Sequence, residues 1–151
     1  MCRSLVLTGS LATLVLFANP VIAEITAAIE NNKQTVLEFY NKGVNQKDFT
    51  VASAYLDPAF KHHNPVRSGG IEGIKAFLDM LREKHPNARF DIKRVFADGD
   101  HVIVHVHAVL DPGAKGTSVV DIYRLGNGRI VEHWDVRQDI PDNVTDLNGL
   151  F

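Results

Sequence analysis

Ionisable side chains recur in this chain at places where a strand or a strand end would normally carry apolar ones. His62 and His63 stand side by side in "AFKHHNPV" (59–66), followed by Asn64 and Pro65. His105 and His107 sit among β-branched residues in "HVIVHVHAVL" (101–110), and Asp121 lies mid-run in "TSVVDIYRL" (117–125), two residues before Tyr123. "EHWD" (132–135) adds His133, Trp134 and Asp135. Aspartate is depleted in strands because it offers the backbone competing hydrogen bonds, so Asp121 costs stability unless something satisfies it. Imidazoles and carboxylates gathered in a hollow shift one another's pKa values, which suits them to moving protons. A lone buried Asp–His pair is as often structural; here several such groups fall within 128 residues.

The elements that must position these groups follow from periodicity. Residues 24–43 read as an amphipathic helix, with Ile25, Ala28, Ile29, Val36, Leu37 and Tyr40 at three- and four-residue steps and Gly43 as a stop. A short helix is expected over 48–56, with Asp48 as N-cap and Asp57-Pro58 ending it. Residues 59–64 form a short extended segment, and 70–86 a third helix presenting Ile71, Ile74, Phe77, Leu78 and Leu81 on one face. The pattern then alternates, giving four strands at 88–97, 101–110, 117–125 and 129–138, with "DGD" and "GNG" as tight turns.

Alternation assigns faces. Val102, Val104, Val106 and Ala108 oppose His101, Ile103, His105, His107 and Val109; Val119, Asp121 and Tyr123 oppose Val120 and Ile122. His133 and Asp135 are expected beside Val131, with Glu132 and Trp134 beside Ile130 and Val136. Adjacent residues of an extended segment point apart, so only one of His62 and His63 can face a cavity; the expectation is His63, with His62 facing away. Helices first and an antiparallel meander second indicate an α+β fold.

The first 23 residues stand apart. One positive charge in "MCR", the apolar run "SLVLTGSLATLVLF" and a small-residue end at Val21 and Ala23 fit a secretory signal peptide cut after Ala23, so the expected address is secreted or periplasmic. Membrane attachment is expected only if that segment is retained. The remaining 128 residues suffice for one domain, 24–151. The chain's only cysteine, Cys2, would leave with the peptide. Losing Arg3 as well changes 16 basic and 18 acidic residues to 15 and 18, a net charge of −3. With no basic stripe, nucleic acid is not an expected partner.

The stretches "HHNP", "SGGIEGIKAFL", "ADGDHVIVHVH" and above all "VDIYRLGNGRIVEHWDVRQ" resemble the SnoaL-like polyketide cyclase family of the nuclear transport factor 2-like superfamily. The resemblance implies a cone-shaped, cystatin-like α+β fold, with N-terminal helices on a curved antiparallel sheet and a pocket in the mouth of the cone. It also implies a small-molecule ligand or substrate, homodimerisation through the sheet, and no cofactor. Cyclases of this group run intramolecular aldol condensations with an aspartate as acid/base. That role carries over to Asp121, with His63 and His105 as the groups that polarise a carbonyl. Asn64, His107, Tyr123, His133, Trp134 and Asp135 would line or brace the site. The expected activity is acid–base catalysis of the cyclase, isomerase or lyase type on a small, mostly apolar carbonyl compound. An exported binding protein using the same pocket is the alternative. A third reading is a metal site built on His105 and His107 with His62, His63 and His133, since neutral imidazoles ligate zinc.

Overall fold

The computed structural model describes residues 19–65, 69–147 and 149–151. Residues 1–18 of the expected signal segment, and residues 66–68 and 148, lie outside the described residues. Helix α1 spans Pro20–Glu38 and continues as a π-helical turn over Phe39–Val44. It therefore begins four residues ahead of Glu24, and Asn19 caps it through its side-chain oxygen. The π turn buries Phe39, Tyr40, Gly43 and Val44. Gly43 is required there: a Cβ at this position would lie 2.7 Å from the Cβ of Ala52 in the next helix, well inside contact distance.

Helix α2 runs Phe49–Ala54, capped by the Asp48 carboxylate on the Val51 amide at 3.1 Å. Strand β1 begins at once, Leu56–His62, so Asp57-Pro58 lie inside a strand and do not end the helix. Proline is tolerated there because β1 is an edge strand, and its register is irregular between Leu56 and Lys61. Helix α3, Gly70–Lys84, buries Ile74, Leu78 and Leu81. Strands β2 (Arg89–Asp98), β3 (His101–Val109), β4 (Thr117–Gly126) and β5 (Arg129–Asp139) complete a five-stranded sheet in the order β1-β5-β4-β3-β2. The β4–β5 hairpin turns at Asn127 and Gly128, both with positive φ, the geometry that matches strand twist in a tight turn.

The meander is antiparallel as expected, but β1 pairs parallel to β5 and makes the sheet mixed. One face, carrying Val102, Val104, Val106, Ala108, Val119, Tyr123, Leu125 and Ile130, packs on the helices and holds the core. The architecture is that of the cone-shaped α+β fold.

Face assignment in β5 departs from simple alternation. Arg124 pairs with Glu132, yet Leu125 pairs with Ile130, so Val131 is the extra residue of a bulge. Ile130 and His133 consequently share the buried face, and Val131 does not join His133 there.

Candidate active site

The cavity opens between the π turn, α3 and the inner face of the sheet. Its wall is largely apolar, from Phe39, Val44, Phe60, Ile74, Phe77 and Phe90. Into it project Tyr40, His62, Asp121, Tyr123, His133, Asp135 and Arg137.

Asp121 and His133 are the two buried polar residues among the described core. His133 Nε2 lies 2.8 Å from Asp121 Oδ1, and the Tyr40 hydroxyl donates to Asp121 Oδ2. Both carboxylate oxygens are engaged. With Asp121 ionised, His133 donates through Nε2–H and presents Nδ1 as a bare lone pair, buried and with no hydrogen-bond partner. Burial first, then the Asp121 charge, pushes the hydroxyls of Tyr40 and Tyr123 well above their ordinary pKa. Tyr40 therefore stays a donor. The Tyr123 ring stacks on His133 with centroids 4.5 Å apart, fixing the imidazole plane.

A second carboxylate–imidazole pair faces the first. The His62 and His133 rings have centroids 4.7 Å apart, and His62 Nε2 is 3.7 Å from Asp135 Oδ1. That distance is long for a hydrogen bond and suits an ion pair when His62 is protonated. Asn64 Nδ2 donates to Asp135 Oδ1 at 2.6 Å. His62 first, then Asn64, hold the Asp135 carboxyl at about 2, below its ordinary 3.8, against the opposing effect of burial. A carboxylate whose folded pKa is depressed stabilises the fold above its unfolded pKa and loses that contribution as pH falls through the folded one. Thermal unfolding followed from about pH 5 down to about pH 2 is expected to show this loss, and Asp135→Asn to show less of it. Equal slopes in the two proteins would refute the assignment.

His63 faces away from the cavity. It stacks on Trp134 at 4.7 Å with the planes 4° apart and meets Glu132 Oε2 at 2.8 Å, on the outer face of the sheet. His62 occupies the inward position instead, because strand alternation puts it on the side of buried Phe60 two residues earlier. That parity was available in the sequence.

His105 and His107 also lie outside, since His105 pairs with Val120 and Asp121 with Val104. Arg94 donates to His105 Nδ1, so Nε2–H donates to Ser118 Oγ at 2.9 Å; burial and then the Arg94 charge hold this imidazole below its ordinary pKa. His107 Nε2 donates to the Lys115 carbonyl at 2.6 Å. The trio Asp121, His63 and His105 is therefore not assembled, and Trp134 and His107 do not line the cavity. Tyr123, His133 and Asp135 do line the cavity with Asp121, and Asn64 reaches the group through its hydrogen bond to Asp135. Tyr40 and His62 are the additions; nothing in the helical pattern around Tyr40 marked it as more than a core residue. The metal reading that joined His105 and His107 to His62 and His133 fails for the same reason, because the sheet separates them. His62, His133 and Asp135 do bring ligating atoms together.

Residues 34–142 match the family of SnoaL-like polyketide cyclases. The chain belongs to that family. No curated protein matches the SnoaL-like chain. Among solved structures, it is similar to a candidate ketosteroid isomerase from Kribbella flavida, with 16% identity over 82% of this chain and 89% of the other and a TM-score of 0.62. A SnoaL-like protein of unknown function from Burkholderia thailandensis is 19% identical over 72% of this chain and 95% of its own, with a TM-score of 0.60. TsrD from Streptomyces laurentii is 21% identical over 74% and 88%, with a TM-score of 0.55. At these identities the likeness establishes the fold, which the SnoaL-like chain shares with all three.

Proposed function

We propose that this SnoaL-like protein is an acid–base enzyme that removes a proton beside the carbonyl of a small, mostly apolar compound. One observation carries the reading: His133 lines a largely apolar cavity and keeps one buried nitrogen without a partner while Asp121 holds the other. This is the arrangement of a general base backed by an orienting carboxylate. Asp121, whose two oxygens already accept from His133 and Tyr40, stabilises the imidazolium that forms on His133. His62 in its protonated form, charge-balanced by Asp135, donates where the enolate oxygen develops. Between them the two imidazoles can carry a proton away from one carbon and deliver it to another, which serves an isomerase, a cyclase or a lyase alike. The family description and the name given to the Kribbella relative both concern ketone-bearing molecules, which supports the substrate class.

The test needs no knowledge of the natural substrate. A panel of cyclic ketones, β-diketones and a β,γ-unsaturated ketosteroid is incubated with the protein in D₂O, and loss of the α-proton signal is followed by NMR. Catalysed exchange of at least one member is expected. A panel that binds, by ligand-induced thermal stabilisation, yet shows no exchange would refute the enzyme reading in favour of a binding protein.

We further propose that the chain is exported and cut after Ala23. Val21, Ile22 and Ile25 are 55–62% exposed, so removing the first turn of α1 strips no core packing. Mass spectrometry of the mature protein is expected to find Glu24 first; an intact N-terminus in the exported protein would exclude the cut.

A homodimer is proposed through the outer face of the sheet. Phe96, Ile103, Ile122 and Trp134 are consecutive partners across β2–β3–β4–β5, and Val120 pairs with Val136, which is 69% exposed. An apolar row of this kind on a sheet face is the usual mark of a covered surface. Val120→Glu is expected to convert a dimer to a monomer in light scattering. A wild-type protein that is already monomeric would refute the proposal.

A further inference from the structure

We propose that His62, His133 and Asp135 form a binding site for a divalent cation of the zinc class, open on one side to the apolar cavity. Each offers one ligand atom, and the three atoms lie within 4.8 Å of one another. Their side chains are only 5%, 9% and 7% exposed. Both nitrogens of His62 and Nδ1 of His133 are buried with no hydrogen-bond partner. Each such orphan costs about 1–3 kcal/mol in a protein interior, so a fold that keeps three of them together retains something that uses them.

The surroundings are those of a ligand set. Asp121 fixes His133 through Nε2 and leaves Nδ1 for a cation, the carboxylate–histidine pairing that orients metal-bound imidazoles. Asn64 fixes Asp135 through Oδ1. Metal–nitrogen bonds of about 2.1 Å place tetrahedral ligands roughly 3.4 Å apart, so the three groups need to draw together by no more than about 1.5 Å. Two imidazoles and one carboxylate favour zinc, cobalt or iron(II) over magnesium or calcium, which prefer oxygen ligands throughout. Three protein ligands leave a fourth position for a small molecule from the cavity. Cation and proton use the same nitrogens, so the acid–base reaction belongs to the cation-free protein and zinc acts as its inhibitor. The site itself does not depend on the acid–base reading.

The test uses the full chain, stripped with EDTA and dialysed, titrated with zinc chloride by calorimetry and with cobalt chloride by visible absorption. One cation per chain is expected. The His62→Ala/Asp135→Asn double variant is expected to lose at least about 100-fold in affinity, and Asp121→Asn about 10- to 100-fold through the misplaced imidazole. His85→Ala removes a surface imidazole paired with Asp111 and is expected to change nothing. Circular dichroism checks that each variant is folded. Absence of stoichiometric uptake, or uptake unchanged in the double variant, overturns the site. Proton exchange measured in EDTA reads the acid–base function separately: its absence there sinks that function and leaves the isotherm to decide the site.

Discussion

Replacing His133 by alanine is expected to lower catalysed proton exchange by about 10³-fold, and Asp121→Asn by about 10²-fold or more. His133 is hydrogen-bonded by a carboxylate at one nitrogen and free at the other. Alanine removes the base itself. Asparagine keeps the shape and an oxygen for His133 Nε2–H, but not the negative charge that stabilises the imidazolium in the transition state. The two variants therefore separate the base from its support. Tyr40→Phe extends the series: it leaves Asp121 Oδ2 without its donor and is expected to cost about 1–3 kcal/mol in stability with a smaller effect on rate. The measurement is exchange rate by NMR beside the melting temperature of each variant. Exchange in folded Asp121→Asn within threefold of wild type would sink the role given to that carboxylate. Retained exchange in His133→Ala would sink the mechanism.

Leu78→Ala is expected to be the most damaging single change to stability, costing about 3 kcal/mol and about 10 °C of melting temperature. Leu78 is fully buried at the centre of α3 and belongs to the cluster that contains Val36, Leu81 and the inner face of the sheet. Truncation leaves a cavity that rigid neighbours on both layers cannot close. Phe77 is the informative contrast: one residue earlier, it is only partly buried and lines the functional cavity. Phe77→Ala enlarges space that already opens to solvent, so a smaller loss of stability and a wider substrate range are expected. Denaturant unfolding of both variants checks this; equal losses would mean that Phe77 is a core residue like its neighbour.

Much of the arrangement is legible in the residue order. The change from helical to alternating periodicity at residue 88 separates helices from sheet, and the "GNG" turn joins β4 to β5 where expected. Asp121, out of place in a strand, marks the cavity because a buried carboxylate must find donors, and His133 and Tyr40 are those donors. The parity of β3 correctly separates the buried valines from His105 and His107. The same parity sets His105 and His107 on the face opposite Asp121, so strand alternation alone keeps them out of the cavity.

What the sequence by itself determined is the content of each strand face and helix stripe, because side-chain direction in a regular element follows from its period alone. Which faces meet, and where the count slips, only the tertiary structure decided. The parallel pairing of β1 with β5 sets His62 beside His133, a contact between residues 71 positions apart that no local pattern encodes. The bulge at Val131 adds one residue to β5 and brings Ile130 to the face of His133. A strand's period is two, so one extra residue exchanges inside for outside. The choice between Ile130 and Val131, and the partner that His62 meets across the sheet, therefore rest on pairing and packing made by distant parts of the chain.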